Sequence, residues 1–228
     1  MLTEELAQEE ENMLNKKDQA YYFFKENILN QKWKIEDTIN LSEVCAELKM
    51  SRTPVIESLK ELEKEGFVTI VPQVGAYVRR PTEDEMYERI LIRIKLDSLM
   101  SEVAAEKITE SQLAQLKELL DSMDDPTMEA NEYAIKNREF HEVIYDASGL
   151  VHIKSVVIKY WDYLRYLEAQ ELLFRNEHRS RSRLEHRMIY HALEERNKPL
   201  VKQLVESHNS RALNLQKNDE ASRSVLTF

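Results

Sequence analysis

Ser51-Arg52-Thr53-Pro54-Val55-Ile56-Glu57-Ser58-Leu59, followed by Leu62 and Gly66, is the stretch that decides the front of this 228-residue chain. Val55, Leu59 and Leu62 recur at helical spacing and share one side, so the stretch reads as a helix with a buried face. Arg52, Ile56, Lys60 and Glu63 then fall on the outward side. Ser51 stands at the N-cap, and Pro54 lies inside the first turn, where its missing N–H costs little. Gly66 takes the left-handed conformation that ends a helix, which sets the span at 52–65.

Working outward, two shorter helices are expected upstream, over about 17–30 and 42–48. Ser42 caps the second, and a tight Lys49-Met50 connection leads to the third. Downstream, Phe67-Val68-Thr69-Ile70-Val71 and Ala76-Tyr77-Val78-Arg79 are β-prone, with Pro72, Gln73, Val74 and Gly75 between them, which reads as a small hairpin. Short helices, a tight turn and a hairpin make a winged helix-turn-helix over 17–80. Arg79-Arg80-Pro81-Thr82 reads as a linker, with Thr82 capping the next helix.

From residue 81 to 217 the pattern is helical throughout. Helices are expected at about 83–107, 110–123, 127–147, 151–174, 179–196 and 199–217. Thr109 with Gln112 forms a capping box, and Asp125-Pro126, Gly149 and Pro199 mark breaks. The fold class is therefore mainly α, a winged helix-turn-helix followed by an all-α bundle of about six helices. Residues 1–16 form an acidic extension, and 218–228 read as a flexible tail.

Composition excludes several classes. Three Gly and five Pro are too few for a strand-and-turn sandwich or barrel. No apolar run approaches the roughly 18 residues of a membrane span, and the acidic start is unlike a signal peptide, so a cytoplasmic protein is expected. A single Cys45 rules out an internal disulfide and a thiolate metal cluster. The net charge of −10 argues against wholesale coating of nucleic acid. The excess is not uniform, since residues 17–80 carry ten basic and ten acidic side chains. A neutral reading domain predicts weak non-specific binding rather than none.

In a helix-turn-helix the N-terminal end of the second helix reaches base edges in the major groove. Ser51, Arg52 and Thr53 sit there, with Ile56 and Lys60 further along the same outward face. Arg52 is the candidate for base readout, because a bidentate Arg to guanine contributes about 1–3 kcal/mol of discrimination.

All six histidines lie behind residue 140, at 141, 152, 178, 186, 191 and 208. Asn137 and His141 are four apart and share a helix face. His186 and His208 stand near the middle of two later helices, and an antiparallel bundle can bring such positions to one interior point. Imidazole nitrogens suit Zn, Ni, Fe and Cu, and an Asn carbonyl oxygen is a weaker, harder ligand. On spacing alone, a satisfied core histidine is the more ordinary reading.

The chain resembles the GntR family of bacterial transcription regulators. The family's recognition-helix pattern, roughly Ser-Arg-Thr-Pro-Val-Arg-Glu-Ala-Leu, stands here as Ser51 to Leu59. The trailing Leu62-Glu63-Lys64-Glu65-Gly66-Phe67-Val68 and the wing Gly75-Ala76-Tyr77-Val78 match as well. The departure is Ile56 in place of the family's second arginine. The resemblance implies a homodimer on double-stranded DNA, with Gln73, Val74 and Gly75 of the wing near the minor groove. The back domain is similar to the all-helical FCD effector domain of the FadR-type subfamily, on Asn137-Arg138-Glu139-Phe140-His141 and Glu185-His186-Arg187-Met188-Ile189. By that resemblance Asn137, His141, His186 and His208 are the ligands of a divalent metal, Zn or Ni. Many relatives carry Asp where Asn137 stands. Arg93, four before Asp97, matches the family's Arg-x-x-x-acid helix and is implied to grip a carboxylate effector; on residues alone it is equally a surface pair with Asp97.

These readings lead to a ligand-responsive regulator, expected to be a repressor, bound to a near-palindromic operator and modulated by a small organic acid at the metal. Two alternatives stay open at this level: a metal-dependent enzyme, and a ligand-blind DNA-binding protein with structural histidines.

Overall fold

The computed structural model describes residues 14–166 and 176–225. The chain divides into two compact units, 1–83 and 84–228. Most of the acidic extension lies outside the described residues, as do 167–174 of the expected fourth bundle helix.

In the first unit, α1 (Lys16–Leu29) starts at Asn15, whose side chain accepts from the Asp18 N–H at 3.0 Å. Next come β1 (Thr38–Ile39), α2 (Leu41–Glu47) and α3 (Arg52–Glu65). The cap of α2 is Asn40, not Ser42: the Asn40 Oδ1 accepts from the backbone N–H of Ser42 at 3.0 Å and of Glu43 at 3.5 Å. Asn serves a helix start as well as Ser does, so the cap lies two residues earlier than the Ser42 hydroxyl suggested. Ser51 holds the N-cap position of α3 by its backbone, without a side-chain cap bond. At the other end Gly66 is left-handed at φ 89°, as expected.

The hairpin pairs β2 (Val68–Val71) with β3 (Gly75–Val78). β1 lies on the other side of β3, giving an antiparallel sheet ordered β1-β3-β2. Gly75 opens β3 rather than sitting in the turn. Its φ is +142°, and a Cβ there would come within 3.2 Å of the Ile39 carbonyl oxygen. The glycine therefore lets β1 close onto the hairpin. Ala20, Phe24, Ile28, Ile39, Val44, Val55, Leu59, Leu62, Phe67, Val68 and Val78 are buried and form the core of this unit.

The second unit is helical throughout its described residues: α4 (Glu83–Lys107), α5 (Glu110–Met123), α6 (Ala130–Ser148), α7 (Val151–Tyr166), α8 (Asn176–Glu194) and α9 (Lys198–Val225). The Thr109–Gln112 capping box at α5 is present. α6 starts at Ala130, later than the expected 127, because Asp125 Oδ1 accepts from the Thr127 N–H and hydroxyl at 2.8 and 2.7 Å and holds a turn there. It ends at Gly149, left-handed at φ 70°. The guanidinium of Arg196, in the α8–α9 turn, donates to the carbonyls of Glu106 and Ile108 at 3.2 and 3.0 Å and so closes the end of α4. α9 is continuous to Val225, past residue 217 where a flexible tail was expected. A continuous core from Ala104 through Leu116, Phe140, Ile144, Ile189 and Val205 joins α4, α5, α6, α8 and α9.

Candidate metal and effector site and DNA-reading face

The helical period turns His141 on α6, His186 on α8 and His208 on α9 to one point in the bundle. Their ring centroids are 5.4 Å (141–186), 5.4 Å (141–208) and 4.6 Å (186–208) apart. One nitrogen from each lies within 4.8 Å of the others. His141 and His186 are fully buried, and His208 is 8% exposed. Both nitrogens of His141 and both of His186 lack a hydrogen-bond partner. Such atoms cost about 1–3 kcal/mol each when left unmet, so four together are not an ordinary core arrangement. Convergent, unpaired and neutral imidazoles are what a late first-row divalent metal requires, and the donor set fits one.

Burial, together with the neighbouring His208, holds His141 and His186 well below the ordinary imidazole value of 6.5. Burial also lowers His208, opposed by Glu185, whose carboxylate meets its Nδ1 at 2.8 Å. That bond assigns the Nδ1 proton and leaves Nε2 as the donor atom. Glu185 is gripped in turn by Arg211 at 2.8 and 3.2 Å. Burial works against its charge, yet His208 and Arg211 hold its carboxyl below the usual range. Asn137 is buried one turn before His141.

Arg93 on α4 is 6% exposed, and Asp97 is fully buried, so the pair is interior and not a surface pair. The Arg93 Nε donates to Asp97 Oδ2 at 3.2 Å and an Nη to Asn209 Oδ1 at 3.2 Å. Asn209 donates to the same Asp97 Oδ2 at 2.9 Å. The guanidinium lies 3.8 Å from the Trp161 ring centre, and that ring lies 5.4 Å from His141. Trp161 therefore joins the arginine network to the histidines as one polar interior. The Trp161 Nε1 donates to the Tyr145 hydroxyl at 3.1 Å. Burial raises the Asp97 carboxyl, against the pull of Arg93, Tyr145 and Asn209.

Sequence reasoning did not find Asn209, Tyr145 or the orienting role of Glu185. The signals were slight: Asn209 follows His208, Tyr145 lies one turn after His141, and Glu185 precedes His186. His152 and His191 are exposed and apart from the site.

On the first unit, Arg52, Thr53 and Lys60 are exposed along α3, Ser51 is exposed at its start, and Ile56 is half-buried beside them. The Arg52 Nη donates to Ser42 Oγ at 3.2 Å, across the turn between α2 and α3. The hairpin tip is formed by exposed Pro72, Gln73 and Val74, Gln73 in the left-handed region at φ 65°. Gly75 lies behind that tip, half-buried.

A model of the FCD domain matches residues 88–211, and that of the bacterial regulatory proteins of the gntR family matches 16–78. The chain belongs to the GntR family. This GntR-family chain is 28% identical over 194 residues to the HTH-type transcriptional regulator YdhC of Bacillus subtilis, covering 83% of it and 86% of YdhC. Over 78 residues it is 35% identical to the HTH-type transcriptional repressor RspR of Escherichia coli, 34% of either chain. Its fold superposes on that of E. coli McbR/YncC with a TM-score of 0.73 at 19% identity, covering 90% of this chain and 99% of the other. The GntR family consists of transcription regulators and not enzymes, which closes the enzyme reading. Among the described residues no helix is long and apolar enough to cross a membrane.

Proposed function

We propose that this regulator is a ligand-responsive repressor that binds a near-palindromic operator as a homodimer and is modulated by a small organic acid held at a metal site in its bundle. The observation that carries the reading is the buried triad of His141, His186 and His208, four of whose nitrogens have no protein partner. These three would hold a divalent ion, Zn or Ni, with Asn137 as a weaker oxygen ligand. When bound, the ion supplies a Lewis-acidic centre with positions left over for a carboxylate oxygen.

The protein's own contribution is orientation and exclusion of water. Glu185 fixes the His208 ring, and Trp161 carries the Arg93 guanidinium beside the triad. Arg93 spends Nε and one Nη on Asp97 and Asn209, leaving Nη1 for an acid oxygen. On the DNA side, Arg52 reads a guanine edge, with Ser51 and Thr53 at the helix start. Ile56 meets a thymine methyl, Lys60 meets a phosphate, and Gln73 and Gly75 bring the wing to the minor groove. A two-fold dimer would set its half-sites about 34 Å apart. Effector binding need differ between the two dimer states by only about 1–3 kcal/mol to release DNA. The 78-residue likeness to the repressor RspR favours repression.

The test is metal analysis of gently purified protein, paired with His141→Ala. About one divalent ion per chain, lost in the variant, is the expected result. Protein that stays metal-free after Zn and Ni are added would remove the metal site and leave a ligand-blind regulator.

A further inference from the structure

Arg52, the first residue of α3, is held before any DNA arrives: its Nη donates to the Ser42 hydroxyl on α2 at 3.2 Å. Both side chains are exposed. Each end of that bond is anchored. The Asn40 side chain takes the Ser42 backbone N–H at 3.0 Å, which relieves the serine of capping and leaves its hydroxyl to serve elsewhere. The turn between the two helices is closed by the Met50 N–H on the Cys45 carbonyl at 3.0 Å, with Lys49 left-handed at φ 52°. Glu43, next to Ser42, is engaged by the Asn40 amide at 2.8 Å, and among the described residues no carboxylate pairs with Arg52. The partner of the guanidinium is therefore a neutral oxygen. An acid would hold it tightly and offset its charge, whereas a hydroxyl orients it and occupies a single N–H. The remaining N–H groups suffice for the O6 and N7 of guanine. A long side chain gives up rotamer freedom when it docks on a base edge, and the Ser42 bond removes part of that freedom in the free protein.

We infer that Ser42 is a positioning residue for base readout: it orients the Arg52 guanidinium across the helix-turn-helix and so sharpens the preference for guanine at the base pair Arg52 reads. This rests on the reading that Arg52 contacts a guanine edge. Without the hydroxyl the full ordering cost returns, and it falls only on complexes in which the arginine engages its base. The guanine preference is therefore expected to drop roughly three- to tenfold per half-site, with preferences at other positions unchanged.

The experiment compares full-length wild type with Ser42→Ala, Ser42→Thr, Arg52→Ala and the Ser42→Ala/Arg52→Ala double variant. Each is equilibrated with a pool of duplexes randomised over a dimer-sized site, and the bound fraction is sequenced to give the preference at every position. Asn40 caps α2, so Ser42→Ala keeps the fold, and its melting curve checks this. Ser42→Ala is expected to lower the guanine preference at the position where Arg52→Ala abolishes it. Ser42→Thr, which keeps the hydroxyl, is expected to retain that preference, and in the double variant loss of the hydroxyl should change nothing further. A hydroxyl that met a phosphate directly would instead weaken all sequences alike, in the Arg52→Ala background as well, and that result would overturn the inference. Wild-type preferences in Ser42→Ala would overturn it too. So would a sharper guanine preference in that variant, since the serine would then be holding the arginine off the DNA. These three results leave the role of Arg52 intact. If Arg52→Ala itself leaves every preference unchanged, the guanine reading fails and this inference falls with it.

Discussion

Acid should destabilise the metal-free bundle over a window set by its histidines. His141, His186 and His208 all sit below the ordinary imidazole value of 6.5 in the folded protein, the first two well below it. In the unfolded chain they return to about 6.5. Below that pH the unfolded state therefore binds protons that the folded state refuses, and stability is lost as pH falls through 6.5. Each such histidine contributes a slope of about 1.4 kcal/mol per pH unit. Two fully suppressed histidines give about 2.7 kcal/mol per unit, and three about 4. At roughly 2–4 °C per kcal/mol for a unit of this size, the melting temperature should fall by on the order of 5–15 °C between pH 6 and pH 5. Asp121, Asp125, Glu106 and Glu206 have lowered carboxyls and also lose stability in acid, but below their ordinary values of 3.8 and 4.5, outside this window. The raised Asp97 carboxyl, by contrast, takes its proton first in the folded state and opposes the histidines. The assay is calorimetric melting of chelator-treated protein from pH 8 to 5, with His186→Leu alongside. Removing one suppressed histidine should lower the slope by about 1.4 kcal/mol per unit, and saturating Zn should flatten the window near its upper end. A wild-type slope equal to that of His186→Leu would refute the argument that these rings are buried neutral.

Other outcomes follow from the same geometry. Arg52→Ala should weaken specific operator binding by about 1–3 kcal/mol and relax the sequence preference, whereas Lys60→Ala should weaken specific and random duplexes alike; gel-shift titrations on both DNAs separate the two. Asn40→Ala should lower the stability of the reading unit by about 1 kcal/mol in chemical denaturation, and Ser42→Ala should not, since the cap of α2 is the asparagine. Glu185→Ala should weaken Zn affinity by roughly 10–100-fold in competition titration, because the His208 ring loses the acceptor that fixes its tautomer.

What could be read in advance divides along a physical line. Local signals were legible where one residue type has a narrow role: Gly66 and Gly149 both turn left-handed at helix ends, and Thr109 with Gln112 forms the capping box. They failed where two residues could serve. Asn40 and Ser42 are both good caps, and only the path of the chain out of β1 selects Asn40. β1 itself has two residues and no periodicity to detect, and it is a strand only because β3 offers it an edge. Gly75 was placed in the turn by its neighbours, yet its missing Cβ serves the approach of β1.

The site shows the same division. Helical periodicity put Asn137 and His141 on one face, and the motif from Ser51 to Leu59 carried the DNA-reading helix and its outward arginine. By itself, then, the sequence determined the element types, the winged helix, the inward-facing histidines and the family, because these depend on spacing within single helices. Tertiary structure alone decided that three histidines from three helices converge with their nitrogens unmet. It also decided that Arg93 and Asp97 are buried together against Trp161. Those facts depend on how far apart helices pack and which way their faces turn, and residues more than a hundred positions apart, such as Asp97 and Asn209, carry no mark of each other until the bundle closes.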